Sequence, residues 1–93
     1  MGKKKLRAMS PTETEILRLV WQLKEATVQD IRAQLPAGRT LAYNTVQTLL
    51  CRLEQKGYLK HRDKGRAHVF SPRAEQEEVI KTTVRDFLAR LFG

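Results

Sequence analysis

Apolar positions recur at helical spacing in four separate stretches of the chain, and each stretch is bounded by residues that start or stop helices. In the first, Ile16, Leu17, Leu19, Val20, Trp21 and Leu23 form a wide stripe, as expected of a helix at the centre of a small core. Ser10, Pro11 and Glu13 precede it as N-cap, first helical residue and third-position acid. In the second, Val28, Ile31 and Leu35 follow Thr27 and Asp30, and Pro36 and Gly38 close the helix. In the third, Val46, Leu49, Leu50 and Leu53 sit at i, i+3, i+4 and i+7, and Gly57 suits the left-handed residue that ends the helix. In the fourth, from about Ala74 to Phe92, Ile80, Val84, Phe87 and Leu91 make one seam with Leu88 and Phe92 alongside. Between the third and fourth, YLKHRDKGRAHVFSP reads as a hairpin. Its turn is expected at Asp63-Lys64-Gly65-Arg66, and Ser71-Pro72 ends its second strand. The fold class is therefore mostly α with a small β-hairpin (α+β).

The polar positions carry the functional signal. Opposite its buried stripe, the third helix presents Asn44, Thr48 and Gln55, flanked by Thr45, Gln47 and Arg52, with no acid near its N-terminal half. Hydroxyl, amide and guanidinium groups on one helix face can pair with base edges in a DNA major groove. The hairpin that follows places Lys60, Arg62, Lys64, Arg66 and His68 within nine residues, with Asp63 as its single acid. A polar-faced helix running into a basic hairpin is the pattern of a winged helix-turn-helix. Tyr43 stands at the start of that helix, and Arg39, in the turn before it, is placed to reach a phosphate.

Charge strengthens this reading. Eighteen Lys and Arg against ten Asp and Glu give a net charge of +8 on 93 residues, an excess that favours a polyanionic partner. No apolar run is long enough to span a bilayer and no secretory core is present, so a membrane partner is not expected. One cysteine, Cys51, makes no intramolecular disulfide, which suits a reducing cytoplasm. His61 and His68 could face each other across the hairpin, but two histidines and one distant cysteine are not a metal-ligand spacing, so neither metal nor cofactor is expected. There is no Ser-His-acid set, Gly-rich phosphate loop or paired carboxylate in an apolar setting, and hence no expected enzyme.

These residues divide the chain into a basic N-terminal segment (1–9), a winged-helix DNA-binding domain (10–72) and a C-terminal helix (73–93). Three helices and the hairpin are enough for a compact core. The seam of the last helix is therefore expected to seek a second copy of the chain.

The stretches PTETEILRLVW, TVQDI, YNTVQTLLCRLEQKGYL and GRAHVFSP, in this order, resemble the penicillinase-repressor (BlaI/MecI/CopY) family over Ser10 to about Gly93. The resemblance implies a winged-helix repressor that binds a palindromic operator as a homodimer, at promoters of resistance or stress genes. It places Thr45, Gln47, Thr48 and Arg52 on the recognition helix and Arg66 on the wing. It also implies dimerisation through the last helix, here Ile80, Val84, Phe87, Leu88 and Leu91. Family members generally continue past the point where this chain stops, so the dimerisation region is expected to lack its end. The copper-responsive branch carries a Cys-rich tail that has no counterpart here. β-lactam-responsive members are cleaved by a membrane-sensor protease in the last helical region, where this chain has Asp86-Phe87 with Asp in place of the usual Asn. Two other readings of the same residues are a winged-helix module that docks a protein partner and a non-specific architectural DNA binder.

Overall fold

The computed structural model describes residues 9–92. Residues 1–8, most of the basic N-terminal segment, and Gly93 lie outside the described residues. Helices α1 (Pro11–Leu23), α2 (Val28–Gln34) and α3 (Tyr43–Gln55) precede strands β1 (Leu59–Lys64) and β2 (Ala67–Pro72). A 3₁₀ turn at Ala74–Gln76 leads into α4 (Glu77–Phe92). This order of three helices, a hairpin and a fourth helix is the expected α+β winged helix-turn-helix.

The helix starts follow from local chemistry. Ser10 Oγ accepts the Glu13 amide at 3.1 Å while Glu13 Oε1 accepts the Ser10 amide at 2.9 Å, so one orphan donor is satisfied in each direction. Thr27 and Asp30 repeat the arrangement at the start of α2. The end of α3 is a Schellman motif. Gly57, at φ 94°, lets the Tyr58 amide reach the Leu53 carbonyl and its own amide the Glu54 carbonyl, each at 3.0 Å.

Ile16, Leu17, Val20, Ile31, Val46, Leu50, Leu53, Leu59 and Phe70 are buried in one core, with α3 packed on both α1 and α2. The hairpin is antiparallel, with Leu59 opposite Pro72, His61 opposite Phe70 and Lys64 opposite Ala67. Its turn therefore centres on Gly65 and Arg66, one residue later than the composition suggests, with Gly65 at φ 62°. Ala26, between α1 and α2, exchanges two 2.8 Å backbone hydrogen bonds with Phe70. This single bridge pins the inner edge of β2 while the tip of the hairpin extends away from the core.

The fourth helix departs from the sequence reading. It packs against α1, and Ile80 and Val84 are buried in the common core, with Leu88 packed against its edge. Three helices and a hairpin do not close over α1 unaided: its stripe is too wide, and α4 covers the remaining side. Ile80 and Val84 are thus intramolecular core residues rather than an open seam. What stays outside is the C-terminal end, with Leu91 60% and Phe92 85% exposed, and Val79 near the start.

Candidate nucleic-acid interface

On α3 the four buried side chains are Val46, Leu49, Leu50 and Leu53. That fixes the rotation of the helix and turns Tyr43, Asn44, Thr45, Thr48, Arg52 and Gln55 outward, with Gln47 half-buried. The helix carries no acid in its first turn. Unlike α1 and α2 it begins without a side-chain cap: Ala42 is its N-cap residue, and among the described residues no side-chain cap hydrogen bond is made. Uncapped amides at a helix N-terminus, with the positive end of the helix dipole, suit a phosphate oxygen. The start of α3 therefore combines exposed amide and hydroxyl side chains with main-chain donors that no side chain caps.

Alternation along β1 splits the hairpin's charges between two faces. Lys60, Arg62 and Lys64 share one face with Ser71, Val69 and Ala67. His61 and Asp63 share the other with Phe70 and His68. Lys64 and Arg66 lie at the tip, exposed, with no ion pair recorded for either among the described residues. Lys60 is exposed too, but sits at the inner end of the strand. The Arg62 guanidinium is 2.7 Å from Oε1 of Glu25, just past the end of α1, and so is already paired with an acid.

Arg39 is placed differently from the sequence expectation. Its Nη2 donates to Thr12 Oγ1 at 3.1 Å, and its Nη1 lies 2.8 Å from the buried Glu15 Oε1, out of line for a hydrogen bond. This guanidinium braces the α2–α3 turn against α1 and partly neutralises a carboxylate inside the fold. Arg32 acts similarly, donating to the Leu41 carbonyl at 3.0 Å. Nothing in residue order betrays these partners, because Glu15 and Thr12 are more than twenty positions away.

A second buried acid ties α3 to α1. Glu13, only 3% exposed, holds the Lys56 ammonium at 2.8 Å. Burial pushes its carboxyl upward, but the Lys56 contact and the Ser10 amide together outweigh burial and hold it below the usual carboxylate range. The pair fixes the C-terminal end of α3 to the N-terminal end of α1 and so sets the tilt of the exposed face.

Comparison with known proteins agrees with this geometry. The sequence profile of the family described as Penicillinase repressor matches residues 9–93. The chain belongs to the penicillinase repressor family. The penicillinase repressor of Bacillus licheniformis is 29% identical over 90 residues, an alignment covering 97% of this chain and 70% of that protein. The solution structure of the DNA-binding domain of the repressor BlaI is 31% identical with a TM-score of 0.65, covering 76% of this chain and 87% of that domain. The monomeric form of Bacillus licheniformis BlaI, solved in complex with the blaP half-operator, is 30% identical with a TM-score of 0.61, covering 81% and 93%. Penicillinase repressors are DNA-binding transcriptional repressors and not enzymes. No described helix of this member is long and apolar enough to cross a membrane.

Proposed function

We propose that this penicillinase-repressor relative is a sequence-specific DNA-binding repressor that reads a palindromic operator with α3 and grips phosphate with the wing tip, one copy per half-site. The observation that carries the reading is the joint exposure of an acid-free α3 face and the cations of the hairpin tip, Lys64 and Arg66. Tyr43, Asn44, Thr45, Thr48 and Arg52 face the groove, with Gln47 at its edge. Lys60 and Arg62 serve as outer phosphate contacts, Arg62 after leaving Glu25. The uncapped amides of α3 and the cationic hairpin tip favour nucleic acid over a protein partner, and the amide and hydroxyl groups on the helix favour sequence reading over architectural binding.

Pairing of two copies is assigned to the C-terminal end of α4, where Leu91 and Phe92 are exposed and Phe87 is half-buried. Association there buries apolar surface that the monomer leaves in water and relates two recognition helices by a two-fold axis. The regulated genes are of the resistance or stress class implied by the family. A regulatory protease acting at Asp86-Phe87 would meet the bond inside α4, so cleavage would follow local unwinding of that helix.

Competition binding tests the division of labour. Thr48→Ala should weaken the preferred site more than random DNA, by about 1–3 kcal/mol if a base contact is lost. Arg66→Ala should weaken both to a similar extent, because a phosphate contact carries no sequence information. If Arg66→Ala alters sequence preference while Thr48→Ala does not, the roles of wing and helix are reversed.

A further inference from the structure

We infer that the inner face of the wing is a binding site for a divalent transition-metal ion of the zinc type, formed by His61, Asp63 and His68. Asp63 and His68 are directly opposed across the hairpin, and His61 lies one pair further in on the same face. One ligand atom from each of the three lies within 4.8 Å of the other two, and the two imidazole rings stand edge to face with centroids 4.6 Å apart. Ligands about 2 Å from a tetrahedral ion are separated by roughly 3.3 Å, so closure needs a shift of about 1.5 Å. All three residues are exposed, so small side-chain rotations provide it without disturbing the core.

One contact presets a ligand for the ion. His61 Nδ1 is held by both Glu54 carboxylate oxygens at 2.8 and 2.9 Å, and His68 Nδ1 lies 2.8 Å from Asp63 Oδ1. The Glu54 carboxylate on Nδ1 orients the His61 imidazole and leaves its Nε2 as the basic ligand atom, whereas Asp63 gives up its contact with His68 to join the ion. Glu54 is thus the supporting residue of His61. Two imidazoles with a carboxylate suit zinc and its neighbours better than calcium or magnesium, which prefer all-oxygen sets.

The position gives the site a consequence. Glu54 belongs to α3 and Asp63 is the acid nearest the wing tip. A bound ion would clamp β1 to β2, offset the Asp63 charge beside the Lys64 and Arg66 cations, and link wing to recognition helix. Metal occupancy should therefore strengthen DNA binding. This second statement rests on the proposed DNA-binding role; the site itself does not.

Isothermal titration of the full chain with zinc(II) alone should give one ion per chain. His61→Ala and His68→Ala should each abolish the heat. Asp63→Asn should weaken binding, and Glu54→Gln, removing a support rather than a ligand, should weaken it about tenfold. Cys51→Ser should leave it unchanged. Circular dichroism verifies that each variant is folded, and the chain has only these two histidines, so the double variant is free of imidazole. No binding by wild type at submillimolar zinc, binding that survives the double variant, or binding lost in Cys51→Ser would each overturn the site. Gel shifts in zinc and in chelator then test the coupling, with tighter DNA binding in zinc expected for wild type and not for the double variant. Equal affinity in both would overturn the coupling and leave the site standing. Failure to bind DNA under either condition would overturn the DNA-binding role, with the zinc titration unaffected.

Discussion

Ile80→Ala should destabilise the folded monomer by about 2–5 kcal/mol, while Leu91→Ala should leave monomer stability nearly unchanged. Both residues belong to the same apolar seam of α4, and periodicity alone treats them alike. The structure separates them: Ile80 is fully buried against the core that α1 organises, and Leu91 is 60% exposed. Truncating Ile80 removes buried methylenes and leaves a cavity that a close-packed interior fills only in part. Truncating Leu91 removes surface that water already reaches. The effects should cross over in assembly, where Leu91→Ala and Phe92→Ala weaken dimer formation. Urea unfolding at low protein concentration measures the first effect and sedimentation the second. Equal, small effects of both substitutions on stability would mean that α4 is not part of the monomer's core.

Affinity for DNA should fall on the order of a thousandfold or more between about 50 and 200 mM salt for a dimer making roughly six to ten phosphate contacts. The magnitude follows from counterion release, at about 0.9 ions per neutralised phosphate. Lys64 and Arg66 on each wing, the uncapped amides of α3, and Lys60 and Arg62 on the hairpin supply contacts of this order. Arg39 is left out because it already faces Glu15 and Thr12. Removing Lys64 or Arg66 should lower the log–log slope by about one per site contacted, whereas Arg39→Ala should act mainly on stability. A salt titration by fluorescence anisotropy gives the slope. A slope near zero would remove the electrostatic basis of the interface.

What could be read from residue order, and what could not, divides along a physical line. Local chemistry was legible: the Ser10 and Thr27 caps, Gly57 at the end of α3 and Gly65 in the hairpin each depend on neighbours within a few positions. The rotation of α3 was legible too, because Val46, Leu49, Leu50 and Leu53 leave a single outward face. Long-range pairing was not. The engagement of Arg39 by Glu15, of Arg62 by Glu25 and of Lys56 by Glu13 depends on how α1 lies across the other elements. The same holds for α4, whose amphipathic pattern specifies that a face is buried but not whether its cover is α1 or another chain. The meeting of His61 and His68 across the hairpin was legible, but for a related reason Asp63 as their third partner was not. The spacing of the three in sequence is unremarkable, and only the strand register brings the three ligands to one face.

On the proposed function, the exposed face of α3 reads a particular DNA sequence while two copies bind together. Selection of bound fragments from a random double-stranded DNA pool, using the full chain, tests it most directly. Enrichment of an inverted repeat whose half-sites are separated by about one helical turn or a small multiple of it is expected, with loss of the enriched bases in Thr48→Ala. Recovery of DNA with no shared motif would contradict sequence-specific reading by α3.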